Sequence, residues 1–140
     1  MGAIANHGKA AVPRLLKPSS LADIINLEKL DLEGLGLDSI TKSEDVSLLD
    51  ASTANTLKGM MKYNVEKTYG VWTFSGLDVG GKTGTGEVDD KDSNATFAGF
   101  LDDPDHPYAF VVCVENAGGG QAIAAPIANA VLQALTESDW

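Results

Sequence analysis

The stretch Gly76-Leu77-Asp78-Val79-Gly80-Gly81-Lys82-Thr83-Gly84-Thr85 decides how the chain is read, because two incompatible backbone shapes could carry it. From Gly76 it fits G-x-x-x-x-G-K-[ST], a loop whose backbone N–H groups and lysine surround a nucleotide's phosphates. That loop needs a helix starting at the Lys-Thr pair, since a helix N-terminus supplies donors and positive potential. The residues there are Gly84-Thr85-Gly86-Glu87-Val88-Asp89-Asp90. Each of the two glycines disfavours a helix by about 1 kcal/mol relative to alanine, and Glu87, Asp89 and Asp90 would repel phosphates where they should bind. The nucleotide reading fails on its flanks and stands only as an alternative. An extended strand over 77–85 fits better. Leu77 and Val79 alternate with small or polar residues, and Gly80, Gly81 and Gly84 suit a strand that something must approach closely.

Outward from this strand lies an ordered set of segments. Gly81-Lys82-Thr83-Gly84-Thr85 precedes Asn94-Ala95-Thr96-Phe97-Ala98-Gly99-Phe100, the apolar residues 111–116, a glycine run and Ala124-Ala125-Pro126-Ile127. This set resembles the C-terminal end of the transpeptidase domain of penicillin-binding proteins, whose K-T-G element lies on a strand beside the nucleophile. Upstream, Ala3-Ile4-Ala5-Asn6-His7-Gly8 and Pro13-Arg14 are similar to the family's A-x-A-N-G-G…P segment, with His7 in place of a glycine. The resemblance covers most of the chain outside 18–46.

Composition bounds the answer independently. A chain of 140 residues is one domain's length, and such a domain buries about two-thirds of its unfolded surface. Hydrophobic residues at 44% and charged residues at 21% indicate a globular chain rather than a disordered one. No apolar run approaches the roughly 20 residues of a membrane span, and 1–5 has neither the charge nor the length of a signal peptide. The net charge of −10 argues against nucleic acid, whose phosphates require clustered lysine and arginine; the acid excess reads as a solvated surface. Cys113 has no cysteine partner and sits in an apolar strand, where an inert buried thiol is expected.

In chain order, 1–6 reads as the last turns of a helix closed near Gly8, so that the chain is expected to open inside an interrupted element. Pro13 makes 12–16 extended, and Ser19 or Ser20 caps a short helix with Leu21, Ile24, Ile25 and Glu28 at helical spacing. Leu27, Leu30, Leu32, Leu35 and Leu37 have the rhythm of one leucine-rich repeat, which a single copy cannot bury; 18–46 is therefore read as a variable surface insertion. Within it, Ser39-Ile40-Thr41-Lys42 matches S-x-x-K, the family's nucleophile motif. The catalytic version begins a buried helix with serine and lysine on one face. Ser39 instead lies among Gly34, Gly36, Asp38, Ser43, Glu44 and Asp45, and it falls downstream of the A-N-G-G-like segment where the family's nucleophile lies upstream. It is read as a decoy. The family's S-x-N element is absent from the sequence.

Asp50 or Ser52 caps a helix to about Glu66, with Ala54, Leu57, Met61 and Val65 on one face and Gly70 ending it. Trp72, in a short strand or loop over 71–75, is either core or cleft wall. Residues 87–93 read as an exposed acidic hairpin connection. Strands are expected at 94–101 and 108–115, the second apolar throughout 109–114 and so covered on both faces. His106 reads as a solvated loop residue with no partner at metal-ligand spacing, and neither a metal nor a cofactor is expected. Gly118-Gly119-Gly120 turns into a helix over 121–137, with Ile123, Ile127, Val131, Ala134 and Leu135 as its buried stripe and Pro126 in its first turn. The sum is an α+β fold: about three antiparallel strands with a packed C-terminal helix, 76–137 forming a strand-hairpin-strand-helix core.

The resemblance implies chemistry beyond these patterns. Family members are serine acyl-transferases: a serine attacks a D-Ala-D-Ala carbonyl, and the acyl group passes to an amine of a second peptidoglycan stem peptide. β-Lactams trap the acyl-enzyme. By carry-over, Lys82 supplies positive potential and positions protons, and the Thr83 and Thr85 hydroxyls bind the substrate carboxylate. The Thr85 N–H forms half of an oxyanion hole, and Gly84 leaves room for the acyl chain along the strand edge. Lys82 and Thr85 are thus the expected catalytic residues, and Thr83, Gly84 and Thr85 the substrate-binding ones. The expected function is one wall of a DD-transpeptidase site without its nucleophile, inactive by itself. A non-catalytic peptidoglycan-peptide or partner-binding module of the same fold is the alternative. Expected partners are stem peptides, β-lactams and the upstream part of the same domain, with self-association through uncovered apolar surface; nucleic acid is not among them. The parent protein is expected to be membrane-anchored, with this domain outside the cytoplasm.

Overall fold

The computed structural model describes residues 1–10 and 46–137. The extended 12–16, the helix capped at Ser19 or Ser20, the leucine rhythm and the Ser39-x-x-Lys42 match lie outside the described residues. Helix α1, Gly2–Ala5, leads into strand β1, Lys9–Ala10, which pairs antiparallel with β2, Val46–Ser47. Helix α2, Ala51–Tyr63, continues directly into a π-helical segment, Asn64–Gly70. Beyond it come three strands: β3, Val79–Val88; β4, Lys91–Leu101; and β5, Ala109–Val114. They form one antiparallel sheet in the order β3-β4-β5. Helix α3, Ala124–Glu137, closes the described chain. The architecture is the expected α+β arrangement, with the two-stranded β1-β2 pair in addition.

Local chemistry explains the element boundaries. The Asp50 carboxylate accepts the Thr53 N–H at 2.8 Å and the hydroxyls of Ser52 and Thr53, each at 2.6 Å. It therefore caps α2, choosing between the two residues the sequence offered. Gly70, at φ 93°, ends the helical run in the left-handed conformation. The hairpin between β3 and β4 is tighter than 87–93: both strands run on to Val88 and Lys91, a register shift absorbs the irregularity between Gly86 and Val88, and only Asp89 and Asp90 connect them. Asp90 takes φ 59°, a conformation that aspartate tolerates better than most residues. His7, at the position where the family pattern has glycine, takes φ 50° and donates from Nδ1 to Asn55 Oδ1 at 2.9 Å.

The core lies between one sheet face, α3 and the π-helical segment. Phe97 and Ala95 of β4 are fully buried with Tyr69, Phe74, Val79 and Leu101, against Ala124, Ala125, Ala128 and Leu132 of α3. Two expectations are corrected here. The buried stripe of α3 is alanine with one leucine, whereas Ile127 and Val131 face outward, 42% and 51% exposed. Small side chains let the helix approach the sheet closely, so the bulkier stripe is left on the other side. Strand β5 is not covered on both faces either: Phe110, Val112 and Val114 are half-buried while Ala109, Val111 and Cys113 are exposed. The Cys113 thiol is consequently exposed rather than buried, 3.8 Å from the Thr96 hydroxyl. Trp72 belongs to neither core nor a closed wall, being 77% exposed and folded over Gly70.

The elements are tied electrostatically at one end of the sheet. Lys62 of α2 donates to Asp78 at 2.6 Å and Asp102 at 3.0 Å, and Lys58 to Asp102 at 2.6 Å. Burial pushes the Asp102 carboxyl up, but the bonds from Lys58 and Lys62 outweigh it and hold it below its ordinary range. The Asp50 carboxyl is also held low, first by the Ser52 hydroxyl and then by Thr53. For both groups the folded-state pKa is depressed. Their contribution is therefore present above the unfolded value of about 3.9 and is lost as pH falls through the folded one. Urea midpoints should stay level from about pH 8 to 5 and decline below about pH 4. Asp50→Asn, which keeps the cap without the charge, should show a shallower decline; an unaltered acid limb would refute the assignment to Asp50.

Candidate active site

Strand β3 carries Lys82, Thr83, Gly84 and Thr85 in extended conformation, with no break at the Lys-Thr pair and no helix before Val88. A phosphate-cradling loop would start a helix there, so that reading is overturned. The strand is the outer member of its sheet. Because N–H and C=O groups alternate between the two edges of a strand, two bonds define the edge facing away from β4. The Thr83 N–H donates to Tyr69 Oη at 3.0 Å, and the Gly81 carbonyl accepts from Asn64 Nδ2 at 2.9 Å. The N–H and C=O of Thr85 lie on the same edge, beyond the reach of either side chain, and Thr85 is exposed. At Gly81 and Thr83 the edge is therefore occupied by Asn64 and Tyr69, and among the described residues it is open to another extended chain at Thr85.

The Lys82 side chain is exposed and bends along the strand, donating to the Thr83 carbonyl at 2.9 Å and approaching Thr83 Oγ1 at 3.4 Å. Among the described residues it forms no ion pair, so its charge is uncompensated locally. Gly84 is only partly covered: a Cβ built there would meet Thr96 Cβ at 3.4 Å, an ordinary contact. A side chain at 84 is therefore compatible with the sheet and projects from it. Gly81 is different. A Cβ there would lie 2.5 Å from Phe97 Cε1, because the phenyl ring fills the space against β3.

Tyr69 and Asn64 organise this edge and were not singled out from the sequence. Tyr69 is 4% exposed. Its oxygen lies 2.9 Å from Asn64 Nδ2 and 3.0 Å from Thr83 Oγ1, besides the Thr83 N–H. Burial pushes the phenol up, but the Thr83 N–H, the Thr83 hydroxyl, the Asn64 amide and the charge of Lys82 together bring it below its ordinary value. The π-helical geometry explains both the arrangement and the omission. Residues five apart lie about 140° around an α-helix, whereas a π-helix, with its i→i+5 bonds, aligns them. Tyr69 does continue the stripe Ala54, Leu57, Met61, Val65, and this was the one available signal.

A cavity of about 960 Å³ sits between α1 and the β4–β5 connection, where Pro104, Pro107 and Tyr108 line it. It shares no residue with the K-T-G strand, which is an open edge and not an enclosed pocket. His106 is partly covered in that connection, its backbone N–H bound to Asp103 Oδ1 at 3.2 Å. No group of three or more histidine, cysteine, aspartate or glutamate side chains placed to hold a metal occurs among the described residues.

The family model for the penicillin binding protein transpeptidase domain matches residues 1–133. The chain belongs to that family. Among solved structures it is similar to penicillin-binding protein A from M. tuberculosis, determined as an imipenem acyl-enzyme complex, at 26% identity and a TM-score of 0.61 over 96% of this chain. It is also similar to Pseudomonas aeruginosa PBP2 in complex with WCK 5153, at 28% identity and 0.58 over 69%. The fold is shared with the D,D-transpeptidase domain of a peptidoglycan glycosyltransferase from Eggerthella lenta, at 23% identity and 0.56 over 69%. The chain spans 28%, 22% and 23% of the length of those three chains, respectively. No curated protein matches it. The penicillin-binding family thus supplies the frame in which the K-T-G strand and its open edge are read. Among the described residues no helix is long and apolar enough to cross a membrane.

Proposed function

We propose that this chain forms the K-T-G wall of a penicillin-binding DD-transpeptidase site, whose nucleophile lies outside these residues. The observation that supports it most is the outer edge of β3, open at Thr85, with Lys82 bent along the strand beside Thr83. A peptide ending in D-Ala-D-Ala, or a β-lactam mimicking it, would lie antiparallel beside this edge and bond to its main chain at Thr85. Lys82 would supply the positive potential for its carboxylate, and the hydroxyls of Thr83 and Thr85 would bind that group.

The Thr85 N–H would hold half of the developing oxyanion, and the nucleophile's own N–H the other half. In the chemistry of the family, a serine oxygen attacks the penultimate D-Ala carbonyl, the terminal D-Ala leaves, and an amine of a second stem peptide displaces the serine from the acyl-enzyme. This chain's part is binding, orientation and charge stabilisation. Further chain of the same domain would cover the face that Val111 and Cys113 leave open, and the whole would act outside the cytoplasm on a membrane-anchored parent.

Covalent labelling with a fluorescent penicillin, followed by intact mass, tests the proposal on this chain and on Ser39→Ala. No adduct is expected on either. An adduct lost in Ser39→Ala would make Ser39 the nucleophile and overturn the assignment of this chain as a binding wall alone.

A further inference from the structure

Proton counting at Tyr69 leads further than its distances. The Thr83 backbone N–H at 3.0 Å can only donate to the phenol oxygen. The Asn64 amide also donates, because the same nitrogen reaches the Gly81 carbonyl at 2.9 Å, and a carbonyl can only accept. Two donors occupy the lone pairs of the Tyr69 oxygen. The phenol is 4% exposed, so water offers no ready alternative for its own proton, and the remaining neighbour is Thr83 Oγ1 at 3.0 Å. Tyr69 therefore donates to Thr83. Lys82 Nζ approaches the same hydroxyl oxygen at 3.4 Å, as a second donor. A hydroxyl that accepts in this way has its own proton left to give, and the open side of the strand is where it can give it.

We propose that Tyr69, held by Asn64, is a positioning residue that locks the Thr83 hydroxyl as an outward hydrogen-bond donor and so selects a carboxylate over a carboxamide at the end of the bound peptide. This rests on the proposed function and adds to it the source of the discrimination. A carboxylate only accepts, and it matches an edge made of Thr83 O–H and Lys82 N–H donors. A terminal carboxamide brings two N–H donors of its own, which such an edge cannot accept. Without the Tyr69 proton, Thr83 can turn its hydroxyl either way and the distinction weakens.

The test monitors the Thr83 and Thr85 amide resonances of the 15N-labelled chain during titration with N-acetyl-D-Ala-D-Ala and with its C-terminal carboxamide. The chain should prefer the carboxylate by about tenfold or more, as expected for hydrogen bonds to a charged group. Tyr69→Phe should cut that preference by about fivefold, the size of one such bond; Thr83→Val should do the same, and the double variant should lose no more than Thr83→Val alone. A Tyr69→Phe chain that binds with the preference intact overturns the inference and leaves the proposed function standing. Binding of neither peptide by the unaltered chain overturns the proposed function and the inference with it.

A second reading needs no variant and so survives a Tyr69→Phe chain that fails to fold. With 13C-labelled tyrosine, the carboxylate peptide should raise the Tyr69 pKa by placing negative charge beyond Thr83, and the carboxamide should leave it in place. Equal titration curves with the two peptides would overturn the inference.

Discussion

Replacing Phe97 with alanine is expected to cost about 3–5 kcal/mol and to leave the domain largely unfolded near its working temperature. Phe97 is fully buried at the centre of the core. Its ring meets Phe74 at 5.3 Å between centroids, Tyr69 edge-on at 5.8 Å and Phe110 stacked at 6.0 Å. Truncation removes those contacts and leaves a cavity that three elements would have to close together. Domain stabilities are on the order of 5–15 kcal/mol, so the loss is a large share of the whole. Thermal unfolding should show a midpoint lower by at least roughly 10 °C; a shift of a few degrees would mean that the ring is not the keystone of this core. The same ring forbids a side chain at Gly81. Gly81→Ala should accordingly be less damaging in a Phe97→Leu background than alone, since the two residues share one space.

The second large effect is expected from Gly120→Ala, in the turn before α3. A Cβ at Gly120 would stand 2.3 Å from the Thr96 carbonyl oxygen, 2.7 Å from the Gly84 carbonyl oxygen and 3.1 Å from Thr83 Cβ. The two oxygens belong to the backbones of paired strands, so neither can rotate aside as a side chain would. Either the start of α3 or the β3–β4 ladder must move, at about 3 kcal/mol by the usual cost of overpacking. The damage should reach the K-T-G strand, visible as displaced Thr83 and Thr85 amide resonances. Gly119→Ala is the control, because nothing lies within 4 Å of a Cβ there. If the two variants melted together, the close approach of Gly120 to β3 would be disproved.

Much of this was legible from local sequence. Gly84 and Gly86 after Lys82, with acids behind them, excluded a helix and left a strand, and β3 runs through the motif as those residues required. Asp50 and Gly70 marked the ends of a helical run through the ordinary chemistry of caps. Burial was read less well. The continuous apolar run 109–114 predicted a strand enclosed on both faces, but Val111 is 66% exposed; an apolar sequence states what a strand can tolerate, and its neighbours settle whether both faces are covered. In α3 the larger aliphatic residues drew the expected stripe, while the close packing of the helix on β4 favoured alanine. Tyr69 and Asn64 escaped notice because a 3.6-residue period cannot align positions five apart.

The sequence by itself therefore determined the backbone state of the central stretch, the α+β class and the family, since each rests on preferences expressed within about ten residues or on an ordered set of short motifs. Tertiary structure alone decided which edge of β3 faces away from β4 and where it is open, which donor and acceptor groups stand beside Lys82, and which apolar faces are covered. Those depend on Asn64 meeting Gly81, on Tyr69 meeting Thr83 and on Gly120 meeting Gly84. Such contacts between distant segments have no local period, and only the packing of the π-helical segment and α3 against the sheet brings them about.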